Sequence, residues 1–153
     1  MKMNRASAKI IYNQKIKGDY WRSIFDAPLI AKKSQAGQFI NIRISEGLDP
    51  FLRRPFGIHA VRGNKFEIIY EVLGKGTRLL AQKRKGESLD IMGPFGNGFK
   101  CCAGKNQIIV AGGMGVAPLV FLAEKLKEGK RGKTKGKVMV LIGAKTKEQV
   151  LCV

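Results

Sequence analysis

Histidine, cysteine and acidic side chains are scarce in this 153-residue chain: one His and three Cys, with 11 Asp+Glu against 29 Lys+Arg. A single histidine, His59, leaves no histidine-based metal site or catalytic triad to build. It lies on a predicted strand and reads as structural. Cys101, Cys102 and Cys152 are odd in number and lack paired spacing, which argues against a disulfide framework and a C-x-x-C metal knuckle. The few carboxylates, Glu71 and Asp90 among them, stand too far apart in sequence for a paired acid–base arrangement. No run of about 18 apolar residues occurs, which excludes a membrane-spanning helix. The first fifteen residues have no apolar segment and no small-residue cleavage site, so no secretory signal is read. A soluble cytoplasmic protein with no membrane partner is expected.

Apolar residues make up 44% of the chain, enough for a packed core. The length fits one domain, or a small domain and part of another. The formal charge of +18 admits nucleic acid, acidic partners or anionic cofactors as ligands. Yet the cations are dispersed, apart from a basic run over 125–137 that follows a helical pattern and reads as a solvated loop. That run has no interleaved aromatic residues, so a basic nucleic-acid-binding barrel is the remote alternative and no nucleic acid is expected as a partner.

The first hundred residues alternate between short apolar runs and turn residues. Strands are predicted over 8–17, 20–25, 38–44, 56–61, 65–73 and 88–92, with a short helix over 77–83. Gly63-Asn64 between two apolar runs marks a hairpin. Strands at about ten-residue spacing point to a small antiparallel barrel. After Gly104 the pattern changes. Gln107–Ala111 is a continuous apolar run, as in a strand buried on both faces. It enters Gly112-Gly-Met-Gly115 and then a helix that begins near Val116, with Val116, Leu119, Val120, Ala123 and Leu126 at helical spacing. Gly129 stops the helix, and 137–142 forms the next strand. The second half is therefore one βαβ unit of a parallel sheet, and the division falls near 100–106: a barrel over 1–102 and a partial α/β domain over 103–153. One such unit cannot cover both faces of its sheet, so a truncated product, or one completed by something else, is expected.

Four segments carry possible chemistry. Ala111-Gly-Gly-Met-Gly-Val-Ala-Pro118 leaves a parallel strand and opens a helix, a geometry that offers free N–H groups to an anion. The same run would also serve as a tight strand–helix turn with no ligand. Arg53-Arg-Pro-Phe-Gly-Ile-His59 sets two arginines before a proline-fixed aromatic, able to clamp a pyrophosphate beside a flat heterocycle. Gly74-Lys-Gly-Thr-Arg78 is a second phosphate-binding turn. Gly93-Pro-Phe-Gly-Asn-Gly98 reads as a connector before the domain boundary.

In this order the four segments resemble the ferredoxin–NADP reductase superfamily. The double arginine, the phrase Gly93-Pro-Phe-Gly-Asn-Gly-Phe99 and Leu141-Ile-Gly-Ala-Lys-Thr-Lys147 are most similar to one branch, the electron-transfer subunits of NAD-dependent dihydroorotate dehydrogenase. The likeness implies an FAD-binding β-barrel followed by a nicotinamide-binding α/β domain, in a component of an NAD-dependent oxidoreductase. Another NAD(P)H-dependent ferredoxin or flavin reductase subunit is the nearer alternative. Carried over by motif, Arg54 meets the FAD phosphates, and Pro55, Phe56 and Gly57 line the flavin. Ile69, Tyr70 and Glu71 form a strand edge against the cofactor, and Gly76 and Thr77 hold the pyrophosphate. Gly112, Gly113, Gly115 and Pro118 form the turn on the NAD side. No side chain is assigned a catalytic acid–base role. The expected partner is a dihydroorotate dehydrogenase catalytic subunit, in a heterotetramer.

Two departures accompany the resemblance. Gly57 stands where the family usually has Ser or Thr, which removes a hydroxyl able to bond the reactive edge of the flavin. The family also carries a cysteine cluster for a [2Fe–2S] centre. Cys101, Cys102 and Cys152 do not reproduce it, so no cluster is expected on this chain.

Overall fold

A computed structural model describes residues 4–100, 105–129 and 136–152. The chain first builds seven antiparallel strands: β1 (Arg5–Lys17), β2 (Tyr20–Asp26), β3 (Phe39–Arg43), β4 (Arg54–Gly57), β5 (Ala60–Arg62), β6 (Lys65–Glu71) and β7 (Ser88–Phe95). Their order in the sheet is β4-β3-β7-β1-β2-β6-β5. Alternating side chains supply the interior, as Ala8 and Ile10 of β1 and Ile40 and Ile42 of β3 do. On β6, Phe66, Ile68 and Tyr70 face this core while Ile69 joins a second cluster on the opposite face. Burial on two faces explains why β6 reads as a nearly unbroken apolar run. The hairpin at Gly63-Asn64 forms as read, with Arg62 opposite Lys65 and Gly63 at φ +59°.

Between β4 and β5 the sheet curls until its two edge strands follow one another in the chain. The predicted strand over 56–61 is therefore broken. Ile58 donates its N–H to Gln38 O at 3.1 Å, beside β3, while His59 donates to Glu67 O of β6 at 2.8 Å. Two consecutive residues thus bond to opposite edges, and His59 sits in this seam rather than within a strand. Two short helices accompany the barrel: α1 (Pro28–Ala31), absent from the sequence reading, and α2 (Lys75–Gln82). Residues 93–95, read as a connector, extend β7, where Phe95 pairs with Phe39.

The second unit is β8 (Gln107–Gly112), a 3-10 turn over Gly113–Gly115, α3 (Val116–Gly129) and β9 (Val138–Gly143). The strands are parallel, in register from Gln107 opposite Val138 to Gly112 opposite Gly143. The fully buried residues of α3 are Val116, Ala117, Phe121 and Leu122, whereas Leu119, Val120, Ala123 and Leu126 are only half-buried. Val116 and these four are the predicted stripe and pack against the core, and Ala117, Phe121 and Leu122 widen it, because α3 packs on β5 and β6 of the barrel as well as on β8 and β9. The other face of the two-stranded sheet is open, with Ile108, Val110, Met139 and Leu141 exposed. Cys101, Cys102, the domain boundary at 102/103 and residues 130–135 of the basic run lie outside the described residues.

Candidate functional site

Successive side chains on a strand point to opposite faces, and at the start of β4 this separates the two arginines. Arg53 turns to β7, where its guanidinium donates to the main-chain and side-chain oxygens of Asp90. Arg5 donates to the same carboxylate from the other side, and the two guanidinium groups hold Asp90 below the usual carboxylate range. Arg54 instead lies across the first turn of α2. A Cβ at Gly76 would stand 2.8 Å from Arg54 Nε and 3.4 Å from Cζ, so glycine is what lets the guanidinium rest on this backbone. Among the described residues that guanidinium has one hydrogen bond, to Leu52 O at 2.6 Å.

The turn beneath Arg54 is tied by Thr77. Its hydroxyl accepts from Leu73 N and Gly74 N and donates to Gly74 O, at 3.0–3.1 Å. That hydroxyl is spent on shaping the turn, so Thr77 has its backbone N–H to offer a ligand. The N–H groups of Lys75, Gly76 and Thr77 belong to the first helical turn, which has no intrahelical acceptors for them. A guanidinium over free first-turn N–H groups is a cradle for a pyrophosphate. The residues present fit the phosphate half of FAD.

Pro55 and Gly57 point outward from β4 beside this cradle, while Phe56 turns inward, 9% exposed, with its ring edge-on to Tyr70 at 5.7 Å. Ile69 and Tyr70 are also buried. The side chains of Phe56, Ile69 and Tyr70 are therefore turned away from solvent, and only their backbone is left to face a ligand. The strand suits this, since β5 pairs only with residues 65–67 and leaves the edge of 68–71 without a strand partner on that side. Gly57 faces α3, where a Cβ would come within 3.0 Å of Pro118 Cβ. The missing hydroxyl at this position has a packing reason.

An open cleft of about 630 Å³ separates the barrel from the second unit. Tyr20 and Glu71 line its barrel side, and Gly112, Gly113, Met114, Gly143 and Lys145 line the other. The cleft lies at the carboxyl ends of β8 and β9, where open α/β sheets bind ligands. A Cβ at Gly112, Gly113, Gly115 or Gly143 would meet nothing within 4 Å. Protein packing does not require these glycines; they leave the backbone open to a ligand. Gly113 alone also has a left-handed backbone, φ +50°. Tyr20 was given no role in the sequence, and Lys145 appeared only within the 141–147 phrase, though its place two residues past the second parallel strand could have marked it.

The two units are joined at the seam. His59 Nδ1 lies 2.6 Å from Ala117 O, at the start of α3, and Arg62 pairs with Glu124. Since a carbonyl only accepts, His59 carries its proton on Nδ1. Burial pushes its pKa down, against the pull of the Ala117 carbonyl and of Glu67 and Glu124 and with the repulsion of Arg22. Among the described residues no group of three or more His, Cys, Asp or Glu is disposed to hold a metal, and Cys152 is an exposed free thiol. Cys101 and Cys102, the other two thiols, lie outside the described residues.

No family model matches the chain. A curated protein from Desulforamulus reducens, named dihydroorotate dehydrogenase B (NAD(+)), electron transfer subunit, is 42% identical over 131 residues, which cover 84% of this chain and 48% of that protein. The protein of the same name from Bacillus pumilus is 42% identical over 128 residues, 80% of this chain and 46% of its own length. The chain thus spans about half the length of the curated relatives it matches. Among solved structures, a chain from an NADH-dependent reduced ferredoxin–NADP oxidoreductase superposes with a TM-score of 0.83 at 29% identity, over 97% of this chain and 52% of that one. Phthalate dioxygenase reductase shares the fold at 19% identity and a TM-score of 0.74, over 95% of this chain and 45% of that one.

Proposed function

Because the chain is a homologue of dihydroorotate dehydrogenase B electron-transfer subunits, of which it spans about half, we propose that it is the flavin-holding part of such a subunit. Residues 1–102 form its FAD domain and 103–153 part of its NAD domain. Bound FAD would take two electrons from one partner and release them to another, here between a dihydroorotate-oxidising catalytic subunit and NAD. That chemistry belongs to the cofactor, and the protein sets its position and surroundings.

The observation that carries this reading is the crossing of Arg54 over Gly76. In it, Arg54 and the first-turn N–H groups of Gly76 and Thr77 neutralise the pyrophosphate. Pro55 and Gly57 lie along the flavin ring, and the backbone edge of Ile69, Tyr70 and Glu71 bonds its polar rim. Gly112, Gly113 and Gly115 let a nicotinamide come close to the chain, and Pro118, against Gly57, spaces the two cofactors. Lys145 at the cleft suits a nucleotide phosphate. The assembly is a cytoplasmic heterotetramer with two catalytic subunits. A subunit of another NAD(P)H-dependent flavin reductase is the second reading, favoured by the superposition on the ferredoxin–NADP oxidoreductase chain.

The test is equilibrium dialysis of the purified chain against FAD, with ADP as competitor. One FAD per chain, displaced by ADP, is the expected result. A folded chain that retains no flavin at micromolar excess overturns the proposal.

A further inference from the structure

Asn13, midway along β1 and unremarked in the sequence, spends its whole carboxamide on four close partners from β2, β6 and the end of α2, with Ala81 O a longer contact at 3.5 Å. Nδ2 donates to Leu80 O and Lys83 O, both at 2.8 Å. Oδ1 accepts from Ser23 Oγ at 2.7 Å and from Tyr70 OH at 3.0 Å. Two donors and two acceptors exhaust what an amide side chain can do.

The two carbonyls lie at the last turn of α2 and just past it, where backbone oxygens run short of donors, although Leu80 O also accepts from Lys83 N at 3.0 Å. Only Gly76 and Leu80 of this eight-residue helix are buried, so apolar packing holds it weakly. A helix of two turns moves as a short rod, and fixing its last turn therefore also fixes its first, which lies under Arg54. On the other side, Tyr70 carries the contact onward, because its ring abuts Phe56, two residues beyond Arg54 on β4. One carboxamide thus ties α2 to the strand core that supports the other half of the cradle.

We infer that Asn13 is the positioning residue of the phosphate cradle, setting the first turn of α2 against Arg54. The inference rests on the FAD reading above and deepens it. A purely structural amide would contribute stability alone. A positioning amide also controls how well the pyrophosphate is held, as misplacement by about 1 Å is enough to weaken a preorganised site.

The experiment compares Asn13→Ala with Ser23→Ala, which removes one bond to Oδ1 and leaves both bonds to α2. Dissociation constants are measured for FAD and for riboflavin, which has the ring system but no pyrophosphate, and amide hydrogen exchange is followed in the flavin-free chain. For Asn13→Ala the FAD constant is expected to rise about tenfold, in line with the loss of one or two hydrogen bonds, with riboflavin little changed. Exchange is expected to accelerate across 78–83 and not in β1 or β2. Ser23→Ala is expected to leave the FAD constant near that of the wild type. Should Asn13→Ala not fold, Asn13→Asp keeps the side-chain shape, removes both donors and gives the same exchange reading. Equal losses for both flavins, or unaltered exchange in α2, overturn the role of Asn13. A wild-type chain that binds no FAD overturns the electron-transfer reading instead, and the exchange experiment still reads the tie between Asn13 and α2.

Discussion

Arg53 and Arg54 are neighbours in sequence with separate fates. Arg54 has little to hold it in the protein, so Arg54→Ala should leave the melting temperature nearly unchanged. It should weaken FAD binding by about 1.5–3 kcal/mol, the worth of a hydrogen bond to a charged group, read by flavin titration. Arg53 is part of the fold. With Arg5 it depresses the Asp90 carboxyl, so its contribution is present above the unfolded value and is lost as pH falls through the folded one. Arg53→Ala should therefore be less stable than wild type at neutral pH, and the difference should narrow below about pH 4, as urea titrations at both pH values would show. The doublet was legible in the sequence; the division of labour was not, since it depends on Asp90, 37 residues further on. Phe56 and the strand edge at Tyr70 were placed at the flavin by motif; burial of both rings in the barrel, which leaves that contact to the backbone, was not legible. Asn13 carried no local signal, because its partners come from β2, β6 and α2.

At the scale of elements, the parts read correctly are those with local grammar: the Gly63-Asn64 hairpin, and the apolar strand, glycine turn and helix of the second unit. The broken strand over 56–61 was not legible, because Gln38 and Glu67, which pull Ile58 and His59 apart, lie outside it. The extra buried positions of α3, Ala117, Phe121 and Leu122, have the same origin, a second surface to cover. That helix meets the barrel through His59, whose pKa is lowered by burial. A histidine with a depressed folded pKa binds fewer protons than its unfolded form, so stability rises with pH across the interval between the two values. Acidifying below about pH 6.5, the ordinary histidine value, should lower the melting temperature of the wild type. His59→Gln, which keeps a donor for Ala117, should show a flatter profile in the same melts.

At the scale of the molecule, two features stand out: a charge of +18 and, among the described residues, an exposed apolar sheet face. The charge repels copies of the chain from each other, while Ile108, Val110, Met139 and Leu141 attract them. Val110 and Leu141 are partners in register, so Val110→Lys with Leu141→Glu places opposite charges side by side on that face. Light scattering at high salt should show less association for this double variant, with stability within about 0.5 kcal/mol of wild type, as for other surface changes. The cradle comes first along the chain, at Arg54 and Gly76, and the cleft after it, from Gly112 to Lys145, and the proposed function depends on FAD occupying the first. A crystal structure of the chain with FAD tests this directly. The expected result has the pyrophosphate between the Arg54 guanidinium and the first turn of α2, with the flavin ring along Pro55 and Gly57 toward Pro118. FAD bound elsewhere, with Arg54 and Gly76 untouched, would contradict it.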